Sequence, residues 1–161
     1  MYLVHWSTGN NLLKVLDDGY LKSSKTTKNV KLFGHKSGSK YIYLRLGRRN
    51  DNYGNLYFDK KLLLENIFYL QIGWNGEPIT EKIDGRKLDE NELDKLLKKF
   101  NEDINKNNKN NMNIPIFMNN EILLMKKISL KKYLRKIDVP IKNTKKIIDI
   151  CKTNYPNVIL K

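Results

Sequence analysis

Tyr41-Ile42-Tyr43-Leu44-Arg45-Leu46 is the stretch that decides how this chain folds. Ile42, Leu44 and Leu46 take every second position, and Tyr41, Tyr43 and Arg45 stand between them. A period of two with aliphatic side chains on one side and aromatic or charged ones on the other predicts a strand with one core face and one functional face. Downstream, the basic turn Gly47-Arg48-Arg49-Asn50-Asp51-Asn52-Tyr53-Gly54 leads to a second strand over Asn55–Phe58. One or two helical turns over Lys60–Asn66 precede a third strand, Phe68–Ile72, and Gly73–Pro78 then reads as a loop.

Upstream, Tyr2-Leu3-Val4-His5-Trp6 suits a first strand, followed by the polar turn Ser7-Thr8-Gly9-Asn10. Asn10 is a candidate N-cap for a helix over Asn11–Asp18, whose Leu12, Leu13, Val15 and Leu16 form an apolar stripe and which Gly19 terminates. Lys22–Lys40, rich in Ser, Thr, Lys and Gly, predicts a mobile loop. In the second half, Asp89 caps a longer helix over Glu90–Asn105, and the Asn/Lys tract Asn105–Asn113 reads as an exposed loop. Asn113–Phe117 and Asn120–Met125 are short strands, and Ile128–Ile137 reads as a further strand or helical turn that ends before Pro140. A last helix starts at Asn143-Thr144 with Ile147, Ile148 and Ile150 facing inward, and Val158–Leu160 closes the chain as a strand. Strands with helices early and late give an α+β fold in one domain, residues 1–161.

Composition narrows the function classes. The 161 residues carry a net charge of +14, and Lys126–Lys161 holds eleven Lys or Arg against Asp138 and Asp149. That excess favours a polyanionic partner, nucleic acid, or a cofactor with phosphates. With no apolar stretch of about 18 residues, no membrane partner is expected. Cys151 as the single cysteine allows no intrachain disulfide, and with His5 and His35 as the two histidines no metal site is expected. An intracellular, cytoplasmic setting follows, or a nuclear one in a eukaryotic host, with a monomer assumed.

Two residues break the apolar pattern. Glu121 heads the run Glu121-Ile122-Leu123-Leu124-Met125, and His5 sits inside the first strand. An acid at the head of such a run borders the core, where an unpaired charge is costly.

The order of these features resembles the ADP-ribosyltransferase fold. His5 followed by Ser7 and Thr8, the helix ending at Gly19, the aromatic strand Tyr41–Leu46, and Asn120-Glu121-Ile122-Leu123 with Leu134–Val139 behind it look most like the DarT-like DNA ADP-ribosyltransferases. The RNA 2′-phosphotransferases are relatives, but they carry a basic winged-helix domain before the catalytic one. The resemblance implies a split β-sheet core with short flanking helices and NAD as substrate, without a metal. It makes Glu121 the catalytic residue that holds the 2′-hydroxyl of the nicotinamide ribose. His5, Ser7 and Thr8 become ribose contacts, Tyr41 or Tyr43 the ring that stacks on nicotinamide, and Arg45 a phosphate contact. The segment before the glutamate, Lys106–Asn119, would read the acceptor, with Lys109, Asn119, Arg48 and Arg49 as substrate contacts. The implied acceptor is nucleic acid, DNA before RNA. The alternatives are a protein acceptor, 2′-phosphate transfer from RNA, and a catalytically silent nucleic-acid binding module of the same fold.

Overall fold

The computed structural model describes residues 1–23, 40–47, 54–72, 79–110 and 121–161. Strand β1 (Tyr2–Ser7) runs into helix α1 (Gly9–Asp18), then β2 (Tyr20–Leu21), β3 (Ile42–Leu46) and β4 (Gly54–Asp59). A 3-10 turn at Lys60–Glu65 leads to β5 (Ile67–Ile72), β6 (Ile79–Asp84) and helix α2 (Glu90–Asn110). The chain ends with β7 (Glu121–Leu124), β8 (Ile128–Ser129), α3 (Leu130–Tyr133), β9 (Leu134–Asp138), α4 (Thr144–Asn154) and β10 (Ile159–Leu160). Eight strands form one sheet in the order β10-β9-β4-β1-β3-β7-β5-β6, while β2 and β8 pair separately. Every pair in the large sheet is antiparallel except β9–β10.

The period of two seen in Tyr41–Leu46 organises the whole sheet. Leu3, Leu44, Leu56, Phe58, Phe68, Ile122, Leu124 and Ile137 share one face and are at most 1 % exposed. They form a single apolar cluster with Leu12 and Leu16 of α1, Leu93, Leu97 and Phe100 of α2, and Ile147 and Cys151 of α4. Burial raises the Cys151 thiol pKa to about 11, which keeps it protonated and makes it a small apolar core residue. The outer face follows from the register. Val4 pairs with Arg45 on one side and Tyr57 on the other, Tyr57 with Lys136, and Glu121 with Gln71.

Local chemistry explains the helix ends. Gly19 adopts φ +70° and its amide closes on the Val15 carbonyl, a left-handed C-cap that a side chain would strain. Asp89 accepts from the Glu92 amide at 2.8 Å and Glu92 reaches back to the Asp89 amide at 2.9 Å, a reciprocal capping box. The N-cap of α1 is Thr8, two residues before the expected Asn10, and its side chain makes no capping bond. Asn10 is instead inside the helix and accepts from Asn143, which ties α1 to α4.

Several expectations are corrected. Helix α2 continues to Asn110, so Lys109 lies on a helix rather than in a loop; Lys and Asn cost an extending helix only a few tenths of a kcal/mol each, less than a sequence with no apolar surface suggests. Strand β6 was not anticipated, because Thr80, Glu81 and Lys82 hide its pattern at the sheet edge. The segment Ile128–Ile137 resolves into β8, α3 and β9. The expected mobile loop falls mostly within residues 24–39, and this span, the basic turn at 48–53, the loop at 73–78 and the strand at 113–117 lie outside the described residues. No described helix is long and apolar enough to cross a membrane.

Two stability outcomes follow from this packing. A Cβ on Gly85 would stand 1.9 Å from the Leu63 carbonyl oxygen and 2.9 Å from that of Asn66, backbone that cannot step aside. Gly85→Ala is therefore expected to cost about 3 kcal/mol in chemical denaturation, with a loss under about 1 kcal/mol contradicting the packing. Asp138, 8 % exposed, is pushed up by burial, but bonds from Tyr57 (2.5 Å), Lys136 (3.0 Å) and Asn55 (3.3 Å) hold its carboxyl below the ordinary 3.8. A lowered folded pKa contributes stability that is complete above about 3.8 and is lost as pH falls through the folded value. Asp138→Asn should flatten that acid limb of the stability curve; an unchanged limb would contradict the assignment.

Candidate active site

Three adjacent strands, β1, β3 and β7, carry His5, Arg45 and Glu121. The Ile42–Leu124, Tyr43–Leu123 and Leu44–Ile122 register brings Arg45 beside Glu121 on the outer face, although 76 residues separate them in sequence. Arg45 Nη2 donates to Glu121 Oε1 at 2.7 Å and Nε to the same oxygen at 3.0 Å. Glu121 is 9 % exposed. Both donors converge on Oε1, so Oε2 accepts no hydrogen bond from a described residue. The carboxylate is fixed by one oxygen and presents the other. Arg45, expected from the resemblance as a phosphate contact, is thus engaged first with Glu121, and its Nη1 makes no bond among the described residues.

The β1–β3 junction is a short contact inside the sheet. β1 matches β4 over six residue pairs but β3 over two, Leu3–Leu46 and Val4–Arg45. Just past that contact, His5 Nδ1 lies 2.9 Å from the Tyr43 carbonyl oxygen. A carbonyl only accepts, so Nδ1 carries the proton and Nε2 holds the lone pair. Burial lowers the His5 pKa from 6.5, and the bond to Tyr43 opposes that shift only in part. His5 is therefore neutral at pH 7, with a ring that can offer an acceptor.

His5 and Glu121 do not share a face. His5 pairs with Leu56, which points into the core, whereas Arg45 pairs with the preceding residue, Val4. The two groups are linked through β3, His5 at the Tyr43 carbonyl and Glu121 at the Arg45 side chain two residues on. The site is a junction between strands rather than a cluster on one surface.

The remaining expected residues spread around this junction. Ser7 is 7 % exposed on the His5 side, opposite Gly54, and Thr8 is exposed at the start of α1. Tyr43 is half-buried on the outer face, opposite Leu123 of β7. Tyr41 precedes β3 and packs edge-on against Tyr69, ring centroids 5.5 Å apart, with Lys40 Nζ 5.1 Å from its own ring centre. Arg48, Arg49 and Asn119 lie outside the described residues, and Lys109 is placed by its backbone alone. Among the described residues no group of His, Cys, Asp and Glu side chains could hold a metal ion. Gln71, opposite Glu121 on β5, was missed by sequence reading, since only the β5–β7 register brings it there.

No protein-family model matches the chain, and no solved structure matches it. Among curated proteins it is similar to uncharacterized protein L54 of Acanthamoeba polyphaga mimivirus, with 33 % identity over 165 residues that cover 98 % of this chain and 87 % of that protein. Identity of that extent along nearly the whole chain is that of homologues, and the chain belongs to the family of this mimivirus protein.

Proposed function

We propose that the protein is an NAD-dependent ADP-ribosyltransferase of the ADP-ribosyltransferase fold, and that it modifies nucleic acid. The observation that carries the proposal is the Glu121 carboxylate, nearly buried, anchored by Arg45 on Oε1 and with Oε2 available to a ligand hydroxyl. The mixed α+β architecture with its large, mostly antiparallel sheet supports the fold assignment. The net charge of +14 supports a polyanionic acceptor.

In this reading Glu121 Oε2 accepts a hydrogen bond from the 2′-hydroxyl of the nicotinamide ribose. The bond between the anomeric carbon and nicotinamide breaks with its electron pair leaving on nicotinamide, and positive charge develops on the ribose. A fixed carboxylate in a nearly dry position stabilises that charge without reorganising. An acceptor oxygen or nitrogen then forms the new bond to the anomeric carbon and releases its proton to solvent. Arg45 is the positioning residue for Glu121, and its Nη1 can still meet a phosphate oxygen. Neutral His5 stands on the opposite face, bonded to the Tyr43 carbonyl, and supports β3 beside the site without touching the ligand of Glu121. Tyr43 supplies the aromatic wall.

Glu121→Gln keeps the size of the side chain and removes its charge, so nicotinamide release from NAD in the presence of single-stranded DNA is expected to fall by about 10²–10³-fold. Equal release by wild type and variant, or no release by wild type with any acceptor, would sink the proposal. The His5 ring carries a second expectation. Because its folded pKa lies below 6.5, the unfolded chain binds more protons between the two values, and stability rises with pH through that window. In a proton NMR titration His5 should show the Nδ1–H tautomer and a midpoint under 6.5; a midpoint above 6.5 would contradict its burial as a neutral ring.

A further inference from the structure

Glu121 has a neighbour on each side along its row of the outer face, and the two are engaged differently. On the β3 side Arg45 places both of its donors on Oε1, at 2.7 and 3.0 Å. On the β5 side Gln71 stands directly opposite Glu121 in the register, which puts the two Cβ atoms within about 4.5–5.5 Å of each other. A carboxamide at that range is long enough to close on the carboxylate. Yet Glu121 Oε2 and the half-buried Gln71 side chain make no hydrogen bond, to each other or to any other described residue. With Glu121 only 9 % exposed, the sheet holds an acceptor and an amide side by side, both with bonding capacity left over.

The surrounding charges select what can fill that place. A cation would meet the Arg45 guanidinium beside Oε1, and an anion would meet the carboxylate itself. What fits is a neutral group that donates to Oε2, since a carboxylate only accepts, and that donates to or accepts from the amide. Hydroxyls do both. One hydroxyl for each of two side chains on adjacent strands is the demand that a vicinal diol on a sugar ring meets. The next row on the same face is Tyr43, Leu123 and Tyr69, paired in that order across β3, β7 and β5. It gives the carbon side of such a ring an apolar and aromatic bed.

We infer that Glu121 and Gln71 together bind the vicinal hydroxyls of one ribose, Glu121 Oε2 taking the 2′-hydroxyl and the Gln71 carboxamide the 3′-hydroxyl. Assigning that ribose to the nicotinamide half of NAD rests on the transferase reading. The two-point contact with the diol does not, because it involves no bond cleavage. Gln71 is a binding residue that makes the site select an intact ribose.

The test uses a C-glycoside analogue of NAD, whose carbon–carbon link between ribose and ring does not break, together with its 2′-deoxy and 3′-deoxy forms at that ribose. Binding to the full chain is read by calorimetry, and nicotinamide release from NAD is followed in parallel. Wild type should lose affinity about five- to tenfold when either hydroxyl is removed. Gln71→Leu should bind the parent analogue about as weakly as wild type binds the 3′-deoxy form, and should no longer distinguish those two ligands. It should still reject the 2′-deoxy form, with its melting temperature unchanged. Gln71→Ser, too short to reach the sugar, should behave in the same way and keeps the test readable if leucine disturbs the sheet. This binding pattern without nicotinamide release would refute the transferase reading and leave the diol site standing. Nicotinamide release with full 3′-hydroxyl preference retained in both Gln71 variants would refute the diol site and leave the transferase reading standing. The inference is also overturned if wild type does not bind the analogue, or binds its 3′-deoxy form as tightly as the parent.

Discussion

The ion pair between Arg45 and Glu121 joins β3 to β7 at the point where a carboxylate would otherwise stand nearly dry at the edge of the core. Burying a charge is costly, and a pair of this kind offsets the cost only when its geometry is good and its hydrogen bonds are made. Here two guanidinium donors meet one carboxylate oxygen at 2.7 and 3.0 Å. Removing either partner leaves an uncompensated charge, a loss of about 3–5 kcal/mol for a fully buried pair and less here, where the Arg45 side chain is 26 % exposed. Such an arrangement is an expensive way to join two strands that already share aliphatic contacts at Ile42–Leu124 and Leu44–Ile122. In the proposed transfer, the second carboxylate oxygen is the one that meets the ribose.

The pair also depends on the two-faced character of the sheet. Aliphatic side chains, with Phe58 and Phe68, take the inner face against the helices. Tyr57 and Tyr43 take the outer face with Arg45, Glu121 and Lys136. A shift of one residue in the β3–β7 register would send Arg45 into the core and break the contact with Glu121. The apolar cluster thus sets the register, and the register sets the site.

Much of this was legible in the chain, for physical reasons that differ from part to part. The alternation in Tyr41–Leu46 and the apolar run after Glu121 are local signals, and both give strands with the expected inward faces. Gly19 and the Asp89–Glu92 box mark helix ends because each satisfies backbone groups within a few residues of itself. Glu121 was recognisable as a carboxylate bordering the core, and its exposure agrees. Its partner was not recognisable, since only the register of two strands 76 residues apart selects Arg45. The same lack of long-range register hid the separation of His5 and Glu121 onto opposite faces, and the placement of Gln71. Strand β6 escaped because a polar edge strand needs no apolar alternation.

The alignment with the mimivirus protein covers 98 % of this chain, at 33 % identity. A crystal structure with NAD bound is the most direct test of what the junction does. The account predicts the 2′-hydroxyl of the nicotinamide ribose within hydrogen-bond distance of Glu121 Oε2, with Arg45 still on Oε1. Nicotinamide ribose bound elsewhere, with Glu121 touching only Arg45 and solvent, would contradict it.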